Sequence, residues 1–169
     1  MDIKRILNHL LYPQWLLRRT FPDVTMDRIE AAVTASERAH HGEIRFAVEG
    51  ALDFMPLWRG VSARQRAVAL FAELGVWDTE TNNGVLIYLL LAERDVEIVA
   101  DRGLQDRVSL AQWESICREM EAMFARGEFE AGALLGIERI HTLFDQHFPI
   151  RGQSSTINAN ELPNRPVRI

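Results

Sequence analysis

Cysteine is nearly missing from these 169 residues, Cys117 being the single one. No disulfide framework and no paired-cysteine metal site can be built from it. Its apolar helical setting reads as a buried structural thiol rather than a nucleophile. An excess of basic charge is missing as well. The net charge of −5, with no basic stripe interleaved with aromatics, excludes a general nucleic-acid binder. The longest uninterrupted apolar run, Val85–Ala92, falls far short of the roughly 20 residues of a membrane-spanning helix. Asn8 and His9 interrupt the apolar run near the start and no small-residue cleavage site follows, so no signal peptide is read and a cytoplasmic location is expected. A glycine-rich phosphate loop, a Cys-x5-Arg and a Gly-x-Ser-x-Gly pattern are all absent, as are internal repeats and low-complexity tracts.

What is present suits one soluble domain. With 47% hydrophobic residues and no shift of composition along the chain, the length supports a single substantial core. Ile3, Ile6, Leu7, Leu10 and Leu11 have helical spacing up to Pro13. Thr25 is placed to cap a second helix that runs to about Gly42. Glu43–Glu49 reads as a strand, Ile44, Phe46 and Val48 alternating with Glu43, Arg45 and Ala47. A loop over 50–61 leads to a helix capped by Ser62 and ending at Gly75. Two β runs, Val85–Ala92 and Val96–Ala100, follow with a connection short enough for an antiparallel hairpin. Ser109 and Gln112 form a capping box for the next helix, and a last helix spans about Glu128 to His147. The order predicts an α/β fold: a small mixed β-sheet, βαβ plus an antiparallel hairpin strand, covered by helices on both faces.

The polar loop Trp77-Asp78-Thr79-Glu80-Thr81-Asn82-Asn83 feeding the strand at Gly84 is the part richest in candidate chemistry. With Glu93-Arg94 as the turn, Ala92 faces Asp95 and Leu86 faces Asp101, which returns Asp101 to the sheet end where Asn82 and Asn83 enter. A parallel crossover puts Glu43 at the same end. Asp78, Asn82, Asn83, Asp101 and Glu43 are thus the candidate ligands of a hard cation, calcium or magnesium, because all offer oxygen and none offers the nitrogen or sulfur that zinc favours. Asn-Asn-Gly is equally a turn signal, and both readings stand. The Asp78, Glu80, Asn82 spacing is not an EF-hand, since Gly84 comes one position late and Leu89 stands where the bidentate Glu belongs. Phosphatase chemistry here would need a metal to polarise phosphate, with Asp78 and Asp101 as ligands and Arg102 as phosphate partner. The cluster sits at the amino ends of the parallel strands, whereas α/β sites usually sit at the carboxyl ends.

Residues 77–88 and Val96–Gly103 together resemble the TPM-domain family. Gly42-Glu43-Ile44-Arg45, Trp113, His147-Phe148-Pro149 and the tail Asn160–Pro166 fit the same resemblance, which covers about residues 25–166 and at its end looks like a soluble bacterial subgroup. The resemblance implies a TPM-like domain over 25–149, after an N-terminal helical extension, 1–24, and before an extended tail, 150–169. Members include a thylakoid-lumen protein described as an acid phosphatase, a photosystem II repair factor and an animal receptor accessory protein. It therefore implies either an accessory protein with a weak divalent-cation site, linked to membrane-protein assembly or maintenance, or a slow metal-dependent acid phosphatase.

The remaining candidates are plainer. His40 and His41 are adjacent and point apart at a helix end, where their charge would suit the dipole. His141 and His147, six apart, do not share a helical face, so no histidine joins a metal-ligand spacing. Trp77 and Trp113 are expected in or beside the core, and Trp58 in its loop is the aromatic suited to a partner. Residues 1–20 carry four basic and one acidic residue, +3, against −8 for the rest. Their Leu/Ile/Trp content allows them to lie on a bilayer surface or to dock on their own domain or a twin subunit; docking is preferred. The expected partner is thus another protein or a membrane surface, with the protein peripheral to the membrane in the second case.

Overall fold

The computed structural model describes residues 3–148 and 160–169, and its architecture follows from where the apolar residues fall. Three helices come first: α1 (Ile3–Leu10), α2 (Gln14–Thr20) and α3 (Asp23–Glu37). Strand β1 (Glu43–Glu49) leads through α4 (Phe54–Trp58) and α5 (Ala63–Glu73) to β2 (Gly84–Leu90), which turns into β3 (Asp95–Ala100). A single 3-10 turn (Arg102–Leu104) precedes α6 (Leu110–Ala125) and α7 (Phe129–His147), and β4 (Val167–Arg168) ends the chain. The sheet order is β3-β2-β1-β4, with β1 parallel to both β2 and β4 and β3 antiparallel to β2.

Helices flank the sheet. Ile44, Phe46, Ile87 and Leu89 pack with Ile29, Phe124 and Phe144 on one side. Leu86, Tyr88 and Leu90 pack with Leu57, Leu70 and Leu162 on the other. Every residue of β1 and β2 is buried, so the alternation expected for β1 is one of chemistry and not of exposure. Ser62 and Ser109 each close a capping box, with Gln65 and Gln112, in which the hydroxyl accepts the N3 amide and the carboxamide returns to the cap.

Several local expectations change. Pro22, not Thr25, stands at the cap of α3, because its fixed φ suits the first turn; Thr25 Oγ1 instead donates to Glu130 at 2.6 Å. The loop 50–61 contains α4. The hairpin pairs Leu90 with Asp95 and Leu86 with Val99, two residues away from the expected register. The cause lies on the other edge of β2: Leu91 and Ala92 donate to Glu49 O and Gly50 O, each at 3.0 Å. β2 thus stays with β1 after β3 has left it, and Arg94 takes a positive φ of 53° to close the longer turn. A slip of two keeps every side chain on its face, so the core survives the change. Trp113 is buried as expected, whereas Trp77 is 55% exposed because Val76 takes the inward position as the chain leaves α5.

Much of the segment read as an extended tail, residues 149–159, lies outside the described residues. Its end runs along the edge of β1. Glu161 and Leu162 donate their amides to the Glu43 carboxylate at 3.4 and 3.2 Å, and the Arg45 guanidinium reaches the carbonyls of Pro163 and Arg165. β4 then pairs with Ala47 and Val48.

Candidate functional site

The loop before β2 is held by its own backbone. Asp78 N donates to Gly75 O and Asn82 N to Thr79 O, at 3.0 and 3.2 Å. Asn83 N reaches the buried hydroxyl of Thr79 at 3.1 Å. Asn82 adopts a φ of 54°, the left-handed region that asparagine tolerates. Gly84 is required for space rather than for φ: a Cβ there would run into the carbonyl of Val76. Asp101 N donates to Gly84 O and Gly103 N to Asn82 O, both at 2.9 Å, so residues 101–103 are laced to residues 82–84. The approach is close enough that a Cβ on Gly103 would meet Asn82 O at 2.5 Å and Thr81 O at 2.6 Å.

The five candidate ligands separate by what their oxygens already do. Asn83 is 1% exposed; its amide nitrogen donates to His41 O, while Oδ1 has no hydrogen-bond partner among the described residues. Asp101 accepts Arg102 N at 2.7 Å through Oδ1, and its buried Oδ2 likewise has no partner there. The Oδ1 of Asn82 accepts Arg102 Nε at 2.9 Å. Glu43 is engaged by the two tail amides, and burial raises its pKa. Asp78 is exposed on the loop. Among the described residues no three His, Cys, Asp or Glu side chains gather as a metal group. A cation here would therefore draw on carboxamide and backbone oxygens beside at most two carboxylates.

Sequence spacing missed two polar clusters. His40 is buried beyond the end of α3, where burial lowers its pKa to about 4, so it is neutral and contributes no charge to the helix dipole. Gly42 N donates to His40 Nδ1 at 3.2 Å, which leaves Nε2 as the donor to Ser36 Oγ at 2.8 Å. Ser36 in turn lies 3.2 Å from His141 Nδ1 on α7. No spacing could reveal that contact, because 105 residues separate the partners. On the other face, Tyr88 donates to Glu49 Oε2 at 2.6 Å and Arg66 Nε reaches the same oxygen at 3.0 Å. Cys117 is held as an inert thiol, burial pushing its pKa up to about 12.

Two hollows of similar size border these groups. One, of about 670 Å³, lies at the carboxyl ends of β1 and β4 between His9, Tyr12, Gly50, Phe54 and Arg168, the customary place for an α/β site. The other, of about 660 Å³, lies beside the candidate loop between Thr81, Gly103, Arg107 and His147. No helix among the described residues is long and apolar enough to cross a membrane.

Known proteins share this architecture. A family model described as TPM domain matches residues 18–143. The solved BA42 protein from the psychrophilic bacterium Bizionia argentinensis is similar at 27% identity and a TM-score of 0.73, over 86% of this chain and 92% of that one. The N-terminal domain of a protein from P. gingivalis shares the fold at 18% identity and a TM-score of 0.60, over 73% of this chain and 75% of that one. No curated protein matches the chain.

Proposed function

The chain belongs to the TPM domain family, and from that premise we propose that it is an accessory protein with a weak divalent-cation site, linked to the assembly or maintenance of membrane proteins. The observation that carries the cation reading is the pair of buried oxygens without hydrogen-bond partners among the described residues, Asn83 Oδ1 and Asp101 Oδ2, on two segments tied by backbone hydrogen bonds. A buried acceptor left unpaired costs about 1–3 kcal/mol, which a bound cation would recover. Asp78 supplies a further carboxylate from the loop, and Asn82 and Glu43 support the site through the bonds they make rather than through spare oxygens. Oxygen donors suit calcium, or magnesium with part of its water shell kept.

Calorimetric titration with calcium is expected to show weak binding that Asp101→Asn reduces at least tenfold. That variant keeps the oxygen that caps the turn at Arg102 and replaces the spare oxygen, with its charge, by an amide nitrogen that cannot ligate a cation. Unchanged affinity would take Asp101 out of the site. The alternative, a slow metal-dependent acid phosphatase, is favoured by Arg102, which is exposed beside these oxygens and could meet a phosphate. Hydrolysis of p-nitrophenyl phosphate that rises with calcium or magnesium and disappears in Asp101→Asn would select it over the accessory reading.

A further inference from the structure

The first helix is turned inside out. Its polar side docks on the domain: Arg5 donates to Glu93 and to Val61 O, each at 2.8 Å, and His9 accepts Leu52 N at 3.0 Å and donates to Glu93 at 2.7 Å. Ile6 packs inward. The apolar stripe Ile3, Leu7, Leu10 and Leu11, at helical spacing, faces out, with Leu11 76% exposed. α4 packs beside α1 and continues the stripe with Phe54, Met55 and Trp58. Trp15 on α2 is 60% exposed with the Arg19 guanidinium 5.9 Å above its ring. Single exposed apolar residues are ordinary, but here they gather on α1 and the adjacent α4, with α2 lining the same hollow as both, and such a gathering marks an interaction surface.

Charge identifies its occupant. The patch lies on the basic end of an acidic protein, residues 1–20 carrying +3 against −8 elsewhere. Lys4, Arg18, Arg19 and Arg59 are exposed around it. Leucine and isoleucine with interfacial tryptophans, rimmed by arginine and lysine, is the composition that seats on anionic lipid. We propose that α1, α2 and α4 form the face by which this protein lies on an anionic bilayer surface, its apolar stripe at the depth of the headgroups. The inference rests on the accessory reading for its purpose and names the surface that reading needs.

The same geometry sets the orientation. α4 leaves the carboxyl end of β1, and His9 is bonded to that connection. The candidate cation loop enters at Gly84, opposite Glu43 at the amino end. Seven residues of strand separate the two ends, about 20 Å. Lipid therefore meets one end of the sheet and the cation loop faces away from it.

The exposed tryptophans report on this directly, Trp15 and Trp58 at the lipid end and Trp77 at the other, while Trp113 is buried in every variant. The full chain, in EDTA, is expected to sediment with vesicles containing anionic phosphatidylglycerol at low salt and to be released as salt rises. Arg18→Gln with Arg19→Gln should weaken partitioning by up to about 25-fold. With brominated lipid, Trp77→Phe should keep its fluorescence quenching, and Trp15→Phe with Trp58→Phe should lose it while still sedimenting. Leu7→Glu with Leu11→Glu, both on exposed positions, should abolish sedimentation. No sedimentation at low salt, or quenching that follows Trp77, overturns the proposal. A dimer in analytical ultracentrifugation that Leu7→Glu with Leu11→Glu makes monomeric would also overturn it, assigning the face to a second copy. Because the test runs without cation, its failure leaves the cation site untouched, and the calcium titration without lipid leaves this face untouched.

Discussion

Glu37 closes α3 from the inside: its Oε1 accepts Ile44 N at 2.9 Å, and the residue is buried. Burial above all, with Glu43 adding repulsion, raises its pKa from 4.5 to about 8. A raised folded-state value means that the folded protein holds a proton the unfolded chain has given up. The contribution is therefore complete below about pH 4.5 and is lost as pH rises towards 8, at no more than about 1.4 kcal/mol per pH unit. His40 works in the opposite sense: with its pKa lowered from 6.5 to about 4, stability is lost as pH falls through that interval. The two oppose one another between about pH 4.5 and 6.5, so the informative window lies above. Urea midpoints measured at pH 6.5 and pH 8 are expected to fall for the wild type and to change less for Glu37→Gln. An equal fall in both proteins would show that Glu37 is not the group responsible.

Among the elements, the end of the chain has the largest effect for its length. β4 holds only Val167 and Arg168, yet the residues before it satisfy both oxygens of buried Glu43 and receive the Arg45 guanidinium. Leu162 fills part of the core beneath α5. Asn164 bonds Thr34, and Arg165 pairs with Glu30 on α3. Removing residues 160–169 would bare the outer edge of β1 and strand a carboxylate that burial already disfavours as an anion. A hydrogen bond to a carboxylate contributes about 1.5–3 kcal/mol, and two are lost here. The truncated chain is therefore expected to unfold at markedly lower urea and to self-associate through the exposed edge. Wild-type stability in the truncated chain would mean that the tail only rests on the surface.

For the molecule as a whole, the cation and lipid readings place two functions at opposite ends of one four-stranded sheet. A cation that binds only the folded state stabilises it by about 2.7 kcal/mol at a hundred times its dissociation constant. For a chain of this size the thermal midpoint should then rise by roughly 5–10 °C. Chelation should reverse the shift, and Asp101→Asn should lack it. A shift of the same size in that variant would move the cation to another part of the protein. Helices on both faces of the sheet hold the two ends apart, so vesicles are expected to leave the calcium affinity unchanged.

The limits of β1, the capping box at Ser109 and Gln112, the course of α7 and the order βαβ-then-hairpin are legible in the sequence, because each depends on residues within a turn or two of one another. The family resemblance was legible for the same reason, being carried by contiguous runs at 77–88 and 96–103. Tertiary structure alone decided the rest. The hairpin register was set from across the sheet at the end of β1, where the carbonyls of Glu49 and Gly50 hold Leu91 and Ala92. His40 and His141 meet through Ser36 only because α3 packs on α7. Periodicity marked α1 as amphipathic but could not say which side docks. The contacts of Arg5 and buried His9 with Glu93 took the polar side inward, and the apolar side was left facing out. Which candidate oxygens are spent was likewise settled at a distance, since Glu43 is engaged by amides 118 and 119 residues further along the chain. Local patterns determine which elements form; partners far along the chain determine which of their groups remain to act.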